Sequence, residues 1–105
     1  MNEFQNKFHV GQVIHHEIFG YRGVIVGVDQ TFQLTPEWYL AVAKSRPPKD
    51  HPWYHVLVHG RRQTTYVAER NLDLDPSGQP VEHPLLDRFF DKFQQGFYSK
   101  SGDEN

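Results

Sequence analysis

The sequence predicts a mainly β domain, a small barrel with a short helix in an inter-strand excursion and an amphipathic helix near the C-terminal end. Three patterns carry that reading. Pro52-Trp53-Tyr54-His55-Val56-Leu57-Val58 is rich in aromatic and β-branched residues, and Tyr66-Val67-Ala68-Glu69-Arg70-Asn71-Leu72 answers it after a turn at Gly60-Arg61-Arg62, which is how a hairpin reads. Gly23-Val24-Ile25-Val26-Gly27-Val28 is nearly continuously apolar, as a strand is when both its faces are covered. Leu86, Phe89, Phe90 and Phe93 fall at i, i+3, i+4 and i+7, the spacing of one helical stripe.

Taken in order, Val13-Ile14-His15-His16 is the first strand, Phe19-Gly20-Tyr21 its corner, and the run to Val28 the second strand. Gly23 and Gly27 mark a close backbone approach or a bend. The excursion follows from Gln33 to His51. Thr35 is placed to cap a helix, Pro36 suits its first position and Glu37 complements its dipole, so a short helix runs from Pro36 to about Lys44 with Trp38, Ala41 and Val42 as its apolar face. Pro47 and Pro48 end it in an extended, exposed loop. After the hairpin, Glu69-Arg70-Asn71 is a tight turn into a last short strand around Leu72-Asp73-Leu74, and Asp75-Pro76-Ser77-Gly78-Gln79-Pro80 separates the barrel from the rest. There Pro84 opens a helix over about 84–95, stopped by Gly96. Its stripe either covers an open end or edge of the barrel or, with Phe89, Phe90 and Phe93 together, offers a docking face to a partner. Residues 99–105 read as a polar, disordered tail.

The 105 residues have room for one domain and one modest core, with the barrel over about 8–74. With zero Cys there is no disulfide, no thiolate metal site and no Cys nucleophile, so a reducing cytoplasm is the expected location. No stretch approaches the roughly 20 apolar residues of a membrane span, and the first residues carry no apolar leader.

A net charge of −2 is a poor signature for nucleic acid. The distribution says more. Residues 1–43 carry −2 and residues 63–105 carry −4, whereas Lys44, Arg46, Lys49, Arg61 and Arg62 against Asp50 give 44–62 a charge of +4. Such an island can meet a phosphate backbone that the whole-chain average would repel, though solvated loop charges read the same way. Trp53 and Tyr54 beside it suggest an aromatic platform for bases, with a core or interface role as the alternative.

The seven His invite a metal hypothesis. His51, His55 and His59 recur every fourth residue, but on a strand that spacing separates them by about 13 Å, against a ligand distance of about 2.1 Å. No metal site and no cofactor are expected. The chain has no nucleophile elbow, P-loop, dinucleotide fingerprint or zinc-protease motif, and its few Ser lie in loops, so no catalytic residue is assigned and no enzymatic activity is expected.

Several pieces in combination resemble the hemimethylated-DNA-binding proteins of the YccV type, also called heat shock protein HspQ. They are Gly11-Gln12 with Val13 and His15, Gly20-Tyr21 with Gly23-Val24-Ile25-Val26, Asp29, Pro52-Trp53-Tyr54-His55-Val56, and Tyr66-Val67-Ala68-Glu69 with Asn71-Leu72, spanning roughly residues 8–74. The resemblance implies an SH3-like barrel and a DNA-binding module, whose preference for hemimethylated duplex comes from the family alone. The excursion from Gln33 to Asp50 and the segment from His83-Pro84 through Phe89-Phe90 to Tyr98 depart from that pattern. They look more like the module at the C-terminus of certain F-box proteins, and related modules occur with chloroplast Clp-protease accessory factors. HspQ itself is described as promoting proteolysis by the Lon protease. Two expectations therefore stand, a duplex-DNA binder using Lys44, Arg46, Lys49, Arg61, Arg62, Trp53 and Tyr54, and an accessory factor that brings substrates to a protease in the stress response. A small homo-oligomer is compatible with either.

Overall fold

The computed structural model describes residues 6–102. The main sheet is antiparallel and five-stranded, built from β1 (Val13–His16), β2 (Arg22–Asp29), β3 (Trp53–Val58), β4 (Thr64–Ala68) and β5 (Leu72–Leu74) in the order β4-β3-β2-β1-β5. A 3-10 turn, Glu69–Asn71, joins the two edge strands. The domain is mainly β, as the sequence predicts, but its sheet is not closed into a barrel. β5 has three residues and pairs only with β1, so no strand ladder joins it to β4.

The apolar run of β2 alternates between two cores. Ile14, Ile25 and Val56 pack with Phe8, Tyr54, Val67 and Leu72 on one face. Val13, Val24 and Leu57 pack on the other with Val81, Phe90 and Tyr98 from the C-terminal segment. Gly23 sits where a Cβ would lie 2.6 Å from both the Leu57 carbonyl oxygen and Val56 Cγ1, the close approach expected there. Gly27 follows a register shift after Ile25, so it marks a bulge that bends β2.

The excursion folds as expected around α1 (Pro36–Val42), whose first turn is capped by Thr35 Oγ1 accepting the Trp38 N–H at 3.0 Å. Its packing face differs from the expected one. Trp38 and Tyr39 turn to Phe32 and Trp53, while Ala41 and Val42 remain exposed.

The C-terminal segment corrects the sequence reading. α2 is one turn, Leu86–Phe89, and Phe90 is already extended at φ −141°. A hairpin of β6 (Lys92–Gln94) and β7 (Phe97–Ser99) follows, with Gln95 and Gly96 at φ 51° and 84°. Two successive positive φ values make the two-residue turn that suits the twist of a hairpin, so Gly96 turns a strand pair rather than ending a helix. Phe93 and Tyr98 face each other across it with ring centroids 4.6 Å apart. The three Phe share no docking face: Phe90 is 6% exposed, Phe93 is half-buried and Phe89 is 38% exposed. The segment still covers the sheet, by other means. Tyr98 N–H donates to the Gly11 carbonyl at 2.6 Å, and a Cβ on Gly11 (φ 94°) would strike the Tyr98 carbonyl oxygen.

Arg22 ties down the segment before this cover, donating Nε to Asp75 at 2.9 Å and Nη2 to the Gln79 carbonyl at 2.5 Å. Burial works against the Asp75 carboxylate, yet the Ser77 hydroxyl and Arg22 hold its carboxyl below the usual range. The expected disordered tail is ordered where it is described: Ser99 lies in β7, and Ser101 N–H and Oγ donate to Asp91 at 2.8 and 3.0 Å. Residues 103–105 lie outside the described range.

Candidate nucleic-acid interface

The aromatic pair expected to stack bases is in the interior. Trp53 is 1% exposed, stacked on Tyr66 at 5.2 Å and donating its indole N–H to the Pro48 carbonyl at 3.1 Å. Tyr54 is 0% exposed, donating its hydroxyl to Glu69 at 2.6 Å while accepting the Phe8 N–H at 3.2 Å. Burial first, then the Glu69 carboxylate, push the Tyr54 hydroxyl well up from its ordinary value. Neither ring can meet a base or a methyl group. Both are core residues because the strand carrying them is covered on both sides.

What the surface offers is a groove of about 730 Å³ that runs along β4. All five β4 residues line it. Phe19 and Tyr21 of the β1–β2 corner form one wall, and Trp38 and Val42 of α1 form the other. The hydroxyls of Tyr21 and Thr65 meet at 2.7 Å, bracing the first wall against the strand. On the second side, Tyr66 donates its hydroxyl to Asp29 at 2.7 Å, and Asp29 also takes His55 Nε2 at 3.2 Å. Burial and the Asp29 carboxylate push the Tyr66 hydroxyl far up, so it stays a donor.

Phe19 stands at the mouth of the groove with 74% of its surface exposed. Its turn is held by His16, whose Nδ1 accepts the N–H groups of Ile18 and Phe19, each at 3.1 Å. An imidazole nitrogen accepting two N–H bonds carries no proton, so His16 is neutral with its proton on Nε2. Burial, and then the neighbouring His15, lower its pKa in the same direction. The turn and the exposed ring were not singled out from the sequence, where Phe19 reads as one more corner aromatic.

The basic island divides. Lys44 and Arg61 line the groove, Lys44 following α1 and Arg61 on the β3–β4 connection. Arg46 caps α1 instead, donating Nη1 to the Ala43 carbonyl at 2.7 Å and lying over the Tyr39 ring at 5.7 Å. Lys49 sits 4.4 Å above the same ring. Arg62 is exposed beside Arg61 but outside the lining. Arg70, which lies outside the island, binds the Ser45 carbonyl at 2.5 Å and anchors the excursion to the 3-10 turn. The three His spaced four apart go to three partners: His51 to Asp50, His55 to Asp29, and His59 to the Glu82 N–H.

Among the described residues, no Asp or Glu lines the groove. Lys44 and Arg61 line the groove, and the Asp29 carboxylate stands behind the lining residues Tyr66 and His55, so the groove presents positive charge on a chain of net charge −2. Residues 6–97 match the sequence model of the family described as Hemimethylated DNA-binding protein YccV like. The chain belongs to the YccV-like family. The matched range covers the whole sheet, the excursion and the groove, and it reaches Phe97 in the C-terminal hairpin. No helix among the described residues of this YccV-like domain is long and apolar enough to cross a membrane.

Proposed function

We propose that this YccV-like chain is a non-catalytic module that binds duplex DNA, with Lys44 and Arg61 meeting phosphates on either side of the groove mouth. Lys44 and Arg61 on a groove whose described lining holds no carboxylate, in a protein of net negative charge, carry the proposal. The two cations stand towards opposite ends of β4, whose five residues span on the order of 14 Å. Arg46, Lys49 and Arg62 remain at the surface and add to the field. A preference for hemimethylated duplex needs an apolar contact to the methyl group in the major groove, and exposed Phe19 takes the place of Trp53 and Tyr54 as its source. The lack of Cys fits work in a reducing compartment.

Titration of labelled duplexes in unmethylated, hemimethylated and fully methylated forms at several salt concentrations tests this. Replacing Lys44 and Arg61 by Ala removes two phosphate contacts, which flattens the log-log salt slope by about 1.8. Phe19→Ala removes the methyl discrimination and leaves the slope unchanged. Absence of binding at about 50 mM salt, where counterion release favours association most, refutes the proposal. A second reading, an accessory factor that holds protein substrates for a protease, has one feature behind it, the uncharged open edge of β4.

A further inference from the structure

An edge strand presents unpaired N–H and C=O groups, and soluble proteins blunt such edges with charges, proline, bulges or extreme shortness. The two edges of this sheet are treated differently. β5 has three residues and carries Asp73, with Asp75 directly after it. β4 is Thr-Thr-Tyr-Val-Ala, with no charge and no proline, and its pairing with β3 runs through all five residues without a register shift.

The register shows which groups are open. Val58 N–H donates to the Gln63 carbonyl and Glu69 N–H to the Pro52 carbonyl, both at 3.1 Å. Pairing alternates along an antiparallel ladder, so Thr65 and Val67 bond inward, whereas the main-chain groups of Thr64, Tyr66 and Ala68 turn away from β3; Ala68 is buried against Trp53 and Ala43, so Thr64 and Tyr66 carry the accessible edge. No other strand among the described residues lies beyond β4. Side chains from both faces of β4 line the groove, Thr65 and Val67 from one and Tyr66 and Ala68 from the other. The groove therefore straddles the open edge. A strand added there directs successive side chains alternately towards Phe19 and towards Val42, which are 74% and 54% exposed.

We propose that the β4 edge takes an extended segment of another protein as an additional antiparallel or parallel strand, with alternating apolar side chains in the two walls and carboxylates meeting Lys44 and Arg61. The open main-chain edge selects a polypeptide strand, and Lys44 and Arg61, with no carboxylate in the described lining, select one that carries acids. Main-chain pairing supplies affinity and the walls supply preference, as in other strand additions. The inference goes beyond DNA binding. Both ligands use Lys44 and Arg61, so the peptide and a duplex compete.

The test is fluorescence anisotropy with the full chain and a short fluorescein-labelled peptide of alternating Val and Thr, flanked by Glu at both ends. Saturable binding is expected, with slowed hydrogen exchange at the amides of Thr64 and Tyr66. Thr64→Pro removes one outward donor and no bond to β3, a position where an edge strand tolerates proline. It weakens the peptide by about tenfold, the worth of one such bond. The same peptide N-methylated at alternate residues loses affinity on the unaltered chain, which keeps the test valid if Thr64→Pro does not fold. Duplex titrated against the unaltered chain reads DNA binding independently of the peptide's N-methylation, so failure of DNA binding and failure of peptide pairing are separate results. No saturable binding, or equal affinity for the methylated and unmethylated peptides, overturns the proposal. A dimer that Thr64→Pro dissolves assigns the edge to a second copy of the chain and overturns it equally.

Discussion

Replacing Phe90 by Ala tests whether the C-terminal segment holds the sheet as a strand-hairpin cover. Phe90 is 6% exposed, its ring centroid lies 5.5 Å from that of Tyr98, and it shares a core with Val13, Val24, Leu57 and Val81. Truncating a Phe so placed costs about 3 kcal/mol, the low end of the usual range because a terminal hairpin can partly collapse into the space. For a domain of this size that is a fall of roughly 12 °C in melting temperature. Phe89, its neighbour, has 38% of its surface in water, and Phe89→Ala costs less than about 1 kcal/mol. Urea denaturation of the two variants measures the difference, with an unchanged slope showing that only stability moved. If Phe90→Ala leaves too little folded protein, Phe90→Leu gives a graded loss of about 1 kcal/mol. Equal costs for Phe89 and Phe90, or a larger cost for Phe89, refute the hairpin and restore a helical stripe.

Two further outcomes follow from close contacts in the sheet and its corner. Gly23→Ala places a Cβ 2.6 Å from the Leu57 carbonyl oxygen, so chemical denaturation shows a loss of about 2 kcal/mol from overpacking between strands; a loss below about 0.5 kcal/mol would mean that β2 and β3 can separate without cost. His16 has a folded-state pKa below its ordinary 6.5, so the unfolded chain binds its proton more readily. The stability that neutral His16 contributes is complete above the unfolded value and is lost as pH falls through the folded one. Thermal melts between about pH 7.5 and 5 show a steeper decline for the natural chain than for His16→Gln, whose amide oxygen accepts the same N–H groups at any pH. Parallel declines would show that His16 does not hold the Phe19 turn.

Strands, hairpin and first helix were legible because their signals are local. Thr35 and Pro36 cap and start α1 wherever the chain lies, and Val13–His16, Gly23–Val28 and Pro52–Val58 carry strand composition within a few residues. The C-terminal helix was misread for a related reason. Leu86, Phe89, Phe90 and Phe93 satisfy a helical period, but Gln95-Gly96 between Phe93 and Phe97 also satisfies a two-residue hairpin turn. Docking of Tyr98 on Gly11, far away in the chain, favours the hairpin.

The sequence by itself determined a mainly β domain, a basic middle between acidic ends and the absence of Cys. Only the tertiary structure decided which aromatics are reachable. A strand covered on both sides hides Trp53 and Tyr54 however suitable their chemistry, while a corner turn held by His16 leaves Phe19 in water. It also divided the basic island, since capping α1 draws Arg46 to carbonyls and the Tyr39 ring draws Lys49, leaving Lys44 and Arg61 to the groove. Burial and charge proximity depend on contacts between residues distant in sequence, and these exist only once the sheet is covered by a core on each face.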